Sequence, residues 1–143
     1  MSKNMAFFMK GKAAEVKEEE VHNITQRYKD DEGNPIPFIM KALDTPRIDE
    51  LETECTKPEI KKGKKVGEKL DGKRLSLRIA IESTVYPNFR DAELLKSYGL
   101  TDPVDLAKTI LSVGGEYMKW MQEANRINGF DESEDELTED VKN

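Results

Sequence analysis

Glycine and proline divide the C-terminal half of the sequence into short amphipathic segments, and this division constrains the fold more than any other feature. Asp91 can cap a helix that ends just before Gly99, where a left-handed residue is favoured. Residues 101–103 (Thr-Asp-Pro) can start a second helix, which the glycine pair at 114–115 ends. A third helix should run from about residue 116 to 128. The pattern therefore predicts a small helical bundle.

The N-terminal half has the features of a β-hairpin. Residues 21–28 and 36–43 are strand candidates, and residues 30–34 (Asp-Asp-Glu-Gly-Asn) contain a glycine that can take the positive φ of a chain reversal. Pro35 and Pro37 cannot donate ladder hydrogen bonds, so the second strand should begin at a sheet edge. The sequence thus predicts an α+β fold, in which an N-terminal β-hairpin precedes a bundle of about five α-helices.

The segment between these two parts combines a helix with a basic connector. Thr45 can act as the N-cap of a helix with proline at its first position, and Pro58 should end that helix near Lys57. Residues 57–72 are polar and rich in lysine, and nothing in them can build a core. We expect an exposed basic loop there, whose candidate electrostatic contacts are Lys61, Lys62, Lys64 and Lys65.

Residues 75–85 allow two interpretations. Apolar residues at positions 75, 77, 79 and 81 alternate with polar or small ones, which by periodicity alone favours a half-buried strand. As a helix, the same segment would place apolar groups around most of its circumference, which fits only a central, buried helix. Periodicity alone therefore favours the strand.

The acidic charge of the chain is concentrated towards its C-terminal end. The sequence has 29 acidic and 23 basic residues, a formal net charge of -6. Residues 131–143 hold seven of the acidic residues and one lysine, which leaves 22 residues of each sign in the remainder. Such a charge block brings too few apolar groups to offset the entropy of ordering. We predict a single domain of residues 1–130, with residues 1–19 partly flexible, followed by a disordered acidic tail at 131–143.

Several functional classes are excluded by the residues that the chain has only once. One cysteine, Cys55, and one histidine, His22, cannot supply a Cys/His zinc site, and no nucleophile is placed beside a base. No stretch approaches the roughly 18 apolar residues of a membrane span, and the neutral body argues against a nucleic-acid binder. We expect a cytoplasmic, non-enzymatic protein without a metal or cofactor, and without a nucleic-acid or membrane partner.

Three surfaces remain as candidates for binding. The apolar patch at residues 5–9 could bind a partner or pack on the hairpin, and the apolar stripe of the last predicted helix could form a client groove or belong to the core. The acidic tail could shield the basic loop until a partner displaces it, or the two could be solvated independently. The candidate client or self-association contacts are Phe7, Phe8, Tyr117, Trp120, Met121 and Phe130.

Five short segments of the chain occur in the order and spacing of a known family. They are residues 27–36 (RYKDDEGNPI), 84–88 (TVYPN), 91–99 (DAELLKSYG), 115–117 (GEY) and 127–130 (INGF). No single segment is specific, but their order and spacing together are, and the resemblance extends over nearly the whole chain, from the Met-Ser-Lys-Asn start to the acidic end. The sequence resembles the XkdN-like tail assembly chaperones of phages and prophages of Gram-positive bacteria.

The resemblance implies a chaperone that binds the tape measure protein, the long helical chain that sets tail length. Such a chaperone keeps its client soluble, assists assembly of the tail tube around it and is absent from the finished particle. The tail-tube protein and a second copy of the chain are further candidate partners. The resemblance also favours a helix at residues 75–85, and we adopt that assignment. A structural tail component and a small nucleic-acid-binding adaptor are the alternative functions.

Overall fold

A computed structural model describes residues 3–130 and shows an α+β architecture. An N-terminal β-hairpin precedes five α-helices, which confirms the predicted fold class. Two features were not predicted, a second β-hairpin and a short strand that joins the first sheet. The acidic tail that we expect to be disordered, residues 131–143, lies outside the described residues.

The elements follow one another with short connections. The strands are β1 (Glu19–Val21), β2 (Phe38–Met40), β3 (Thr56–Lys61), β4 (Lys64–Leu70) and β5 (Thr84–Tyr86). The helices are α1 (Thr45–Glu54), α2 (Gly72–Ser83), α3 (Ala92–Ser97), α4 (Pro103–Ile110) and α5 (Gly114–Ile127), and a 3₁₀ turn (Met5–Phe8) precedes β1. An antiparallel sheet has the order β1-β2-β5, and β3 pairs with β4 in a separate hairpin.

The first hairpin has the predicted turn but shorter strands than predicted. The Asp30 carboxylate accepts hydrogen bonds from the N–H groups of Glu32 and Asn34, each at 2.9 Å, and Gly33 takes a φ of 84°. The predicted strand at residues 21–28 ends at Val21, because the following residues leave the sheet to pack against α5. Side-chain anchoring therefore replaces ladder hydrogen bonds before Tyr28, whose carbonyl again accepts from the Ile36 N–H at 3.0 Å.

Helix α2 confirms the helix at residues 75–85 up to Ser83, against the strand periodicity. Five of its residues are buried: Leu77, Ile79, Ala80, Ile81 and Ser83. It packs against α1, α4 and α5, and a helix with neighbours on several sides needs apolar groups around most of its circumference. The chain then turns directly into β5, which pairs with β2 in the sheet.

The helix starts follow from aspartate caps. The carboxylates of Asp71, Asp91 and Asp102 accept backbone hydrogen bonds at the starts of α2, α3 and α4. Two predicted bounds are wrong. Helix α1 is capped by Asp44 instead of Thr45. It ends at Glu54 instead of near Lys57, because β3 already begins at Thr56. Helix α5 begins at Gly114 instead of residue 116, so the glycine pair forms its first turn instead of preceding it.

The exposed basic loop predicted at residues 57–72 is instead an exposed β-hairpin followed by the start of α2. A two-residue turn joins β3 to β4, with Lys62 at φ 53° and Gly63 at φ 77°. Positive φ at both central positions is the signature of the type I′ turn, which suits the twist of paired strands. Backbone pairing therefore orders this segment without a core of its own, and every residue of β4 is exposed.

The core lies between the sheet and the helices and is centred on Trp120. The indole ring is fully buried, meets Phe89 edge-on with centroids 5.6 Å apart, and donates its N–H to the Thr84 hydroxyl at 2.9 Å. The hydrogen bond satisfies the one polar group of a large buried side chain. The end of α5 contacts the segment between β2 and α1, where the Asn128 side chain accepts from the Leu43 N–H at 2.9 Å.

Candidate functional site

An apolar groove of about 440 Å³ opens between the sheet and α3. Strands β2 and β5 form its floor, α3 forms one wall, and the end of α4 closes it. Nine of its ten lining residues are uncharged, and most are apolar or aromatic. They are Tyr28, Ile36, Phe38, Tyr86, Pro87, Asn88, Asp91, Leu94, Tyr98 and Ile110.

Two tyrosine hydroxyls lie together in the groove without adding charge. Tyr28 donates to the carbonyl of Ile110 at 3.0 Å, and its hydroxyl is 3.5 Å from that of Tyr98. Burial, with the hydrogen bond to Tyr98 as the second cause, raises the pKa of Tyr28 to about 12. Tyr28 therefore stays neutral at physiological pH. The one charged lining residue, Asp91, accepts from the Leu94 N–H at 2.9 Å as a helix cap.

An ion pair holds the segment that carries Tyr28 against the helices. Arg27 donates to both carboxylate oxygens of Glu116, at 2.6 and 3.0 Å, and to the carbonyl of Ile110 at 3.0 Å. The Thr25 hydroxyl donates to the same carboxylate. The hydrogen bond from Arg27 is the main cause that lowers the pKa of Glu116 to about 2. The Tyr28 side of the groove is thus anchored by a charge-assisted, two-point contact.

The N-terminal patch at residues 5–9 is exposed and packs on nothing that would bury it. Phe7 is 74% exposed and Phe8 87% exposed, and none of residues 3–20 is buried. The Asn4 side chain accepts from the Ala6 N–H at 2.9 Å and caps the 3₁₀ turn. An apolar arm of this kind is a second surface that a partner could cover.

The sequence-predicted contacts do not converge on one place. Trp120 is a core residue and cannot be a surface contact in the folded protein, because its side chain is fully buried. Tyr117 and Met121 are half-buried against the core, and Phe130 is 42% exposed. Phe7 and Phe8 lie on the arm. None of these residues lines the groove.

The four predicted electrostatic contacts are separated by the second hairpin. Lys61 and Lys64 lie directly opposite each other, whereas Lys65 is opposite Ile60 and therefore points to the other face. Lys62 lies in the turn. In a flat loop these residues would form a single patch, but strand pairing divides them between faces.

The groove residues were missed by pattern analysis, yet the sequence held a signal for them. Eight of the ten lie in three segments on which the family resemblance rests, residues 27–36, 84–88 and 91–99. These segments are distant in sequence and meet only in the fold. Their convergence on one apolar concavity singles it out as the candidate site.

The described residues contain no group of three or more His, Cys, Asp or Glu side chains placed to hold a metal ion. Across the same range, no helix is both long enough and apolar enough to cross a membrane. Cys55 is buried at the end of α1.

Comparison with known proteins places these features in context. The sequence profile of phage XkdN-like tail assembly chaperone proteins matches residues 5–142. The chain is 49% identical over 140 residues to YqbN of Bacillus subtilis strain 168, covering 98% of this chain and 93% of that protein. It is 48% identical over 140 residues to the phage-like element PBSX protein XkdN of the same strain, covering 98% and 94%.

A solved structure has the same fold. The crystal structure of YqbN superposes with a TM-score of 0.76 at 45% sequence identity. The match covers 91% of this chain and 99% of that one. The architecture described above is therefore shared with an experimentally determined relative.

Proposed function

This chain belongs to the phage XkdN-like tail assembly chaperone family, and we propose that its client is the tape measure protein of the same phage or prophage. It binds apolar segments of that client in the host cytoplasm, keeps them soluble and assists assembly of the tail tube, all without catalysis. The observation that carries the proposal is the open apolar groove, built largely from the segments on which the family resemblance rests.

The groove suits a segment of a helical client. Its volume of about 440 Å³ lies within the range of roughly 300–1,000 Å³ that is usual for ligand pockets. Tyr86 and Tyr98 stand partly exposed at its rim and offer both ring surface and hydroxyl groups. An amphipathic helix presents apolar anchors three and four residues apart, and apolar grooves bind such anchors.

Binding at one groove of this size is expected to be weak, which suits a reversible chaperone. Stable protein interfaces bury about 1,200–2,000 Å² in total, more than a small groove alone provides. Many copies along one long client would hold it together, while the tail-tube protein could displace each copy singly. The exposed arm with Phe7 and Phe8 would add a second apolar contact for each copy.

Co-expression with the tape measure protein tests the proposal. The wild-type chain should increase the soluble fraction of the client and co-purify with it. The double variant Tyr86→Asp/Tyr98→Asp places two charges at the groove rim without removing a buried side chain. We expect its affinity for a client fragment to fall about 30-fold, which corresponds to a hot-spot loss of about 2 kcal/mol.

Met118→Asp is the matched control, because Met118 is 62% exposed on α5 and does not line the groove. It should retain wild-type binding. A client that is equally insoluble with and without the chain would refute the function, and full binding by the double variant would refute the groove. Recovery of the chain in purified phage particles would favour a structural tail component instead.

A further inference from the structure

We propose that one face of the β3–β4 hairpin is a binding surface for an acidic peptide, and that its occupant is the acidic tail of the same chain, residues 131–143. The contact is independent of client binding at the groove. Three observations support it: the placement of lysines on the hairpin, the point at which the described chain ends, and the charge and reach of the segment that follows.

The hairpin ladder places like charges directly opposite one another. Lys57 pairs with Lys69, and Lys61 pairs with Lys64. Opposing residues share a face, and positions 57, 59 and 61 alternate onto the same side of β3, so all four lysines lie on one face. We call these four residues the lysine face. Glu59 is the one acidic residue among them.

The opposite face has a different character. It carries Thr56, Ile60 and an ion pair between Lys65 and Glu68 at 3.4 Å. Glu68 and Thr56 also line a cleft with acidic residues of α1. The lysine face is therefore turned away from α1. Within residues 3–130, no ion pair involves its four lysines.

Like charges directly opposite in a ladder destabilise the pairing, by up to about 1 kcal/mol per pair. The protein keeps two such pairs on a hairpin that contributes no residue to the core. An anionic strand laid along this face would convert both repulsions into attractions. The lysine arrangement therefore favours an anionic ligand.

The helices show where the tail begins relative to this face. Arg47 near the start of α1 binds Glu82 near the end of α2, so the two helices are antiparallel. Asn128 at the end of α5 donates to the Ser83 hydroxyl at 2.9 Å, which places it at the end of α2. The hairpin leaves from the opposite end, where the Asp71 N–H donates to the Cys55 carbonyl at 2.9 Å.

These landmarks set an approximate upper limit on the separation between the end of α5 and the hairpin tip. Helix α2 has 12 residues and is about 18 Å long, and reaching Lys61 near the hairpin tip adds about 17 Å. Thirteen extended residues span about 43–47 Å. Residues 131–143 can therefore run from the end of α5 along α2 and over the whole lysine face.

The charges are complementary. The hairpin carries six lysines and two glutamates, a net charge of +4, and residues 131–143 carry seven acidic residues and one lysine. Each exposed pair contributes at most about 1 kcal/mol and is screened by salt. Several pairs together, on a segment already tethered at an effective concentration in the millimolar range, are sufficient to populate the contact.

Zero-length carbodiimide cross-linking of the full chain, with peptide mass spectrometry, tests the contact. At about 20 mM salt the screening length is about 20 Å, and at 0.5 M it is about 4 Å. We expect tail carboxylates to be joined preferentially to the lysine face, with a yield that falls about fivefold or more at 0.5 M. Cross-links spread evenly over all lysines, or found only in dimers, would overturn the proposal.

A second experiment separates the contact from general charge attraction. In a full-length variant the seven tail acids are replaced by Asn or Gln, and a peptide of sequence 131–143 is titrated into it by NMR. Peptide shifts should concentrate in hairpin amides. Gln at the four positions of the lysine face should weaken peptide binding about tenfold, while Gln at the exposed Lys3, Lys10, Lys12 and Lys96 should not.

Equal loss in both lysine sets would contradict the proposal. Titration with a nucleic-acid oligonucleotide tests the competing explanation, because phosphates would also bind lysines. If the oligonucleotide binds the lysine face of the wild-type chain as tightly as that of the tail-neutralised chain, nucleic acid is the occupant and the tail is not.

Discussion

The variant Glu116→Gln tests how the Tyr28 side of the groove is held in place. The substitution keeps the size of the side chain but removes the charge that accepts two hydrogen bonds from Arg27 and one from Thr25. It also places an amide N–H against an arginine donor. Hydrogen bonds to charged groups contribute about 1.5–3 kcal/mol. Arg27 is 45% exposed, so solvent screens part of this contribution. We therefore expect a loss in the lower half of that range, about 2 kcal/mol, in the free energy of unfolding at pH 7.

The same ion pair predicts how that loss depends on pH. Glu116 has a pKa of about 2 in the folded protein and an ordinary value of 4.5. Its contribution is therefore fully present above pH 4.5 and declines as the pH falls towards 2. The glutamine variant does not titrate, so the difference between the two proteins should shrink steadily across that window. Other carboxylates titrate equally in both proteins and cancel from the difference.

Urea unfolding followed by the fluorescence of Trp120, the one tryptophan of the chain, measures the difference at pH 7, 5 and 3. Glu50→Gln is the control, because that carboxylate is 65% exposed in its pair with Arg47 and should change stability by less than about 0.5 kcal/mol. A difference between wild type and Glu116→Gln that stays constant from pH 7 to pH 3 would refute the argument.

Other features lead to shorter tests. Trp120→Phe removes the hydrogen bond to Thr84 and part of a buried ring, and should lower stability by about 2–3 kcal/mol in thermal unfolding followed by circular dichroism. Lys62→Asn should strengthen the second hairpin by a few tenths of a kcal/mol, seen as slower amide exchange confined to β3 and β4, because asparagine adopts positive φ more readily. Tyr28 should ionise near pH 12 in an ultraviolet titration, and a normal value near 10 would contradict its burial.

The sequence predicted best the features that depend on neighbouring residues. The sequence predicts the cap at Asp91, the helix start at residues 101–103 and the acidic turn before Pro35, because each needs only a side chain and the backbone a few residues away. The alternating pattern of α2 favours a strand although the segment is a helix, since burial by several neighbours removes the single apolar stripe on which helical periodicity depends. There the family resemblance was the better guide.

The groove could not have been predicted from any one pattern. Tyr86 and Tyr98 stand at the ends of β5 and α3, and Tyr28 lies in the connection between β1 and β2. Local sequence says little about burial at such positions, and the three tyrosines meet only after the sheet closes on α3. The second hairpin was missed for another reason. Its Lys62-Gly63 turn lacks the usual Asn-Gly or Asp-Gly signal, and its lysine-rich strands have low intrinsic β propensity.

The shape of β5 bears on the proposal that many copies of this protein gather along one client. In the described part of the chain β5 pairs on one side only, with β2, and one residue, Val85, is extra between the paired Thr84 and Tyr86. Such a short, bulged edge offers a neighbouring molecule no regular row of amides to continue. A densely packed coat of these molecules would thus resist stacking into fibrils and would remain able to come apart again.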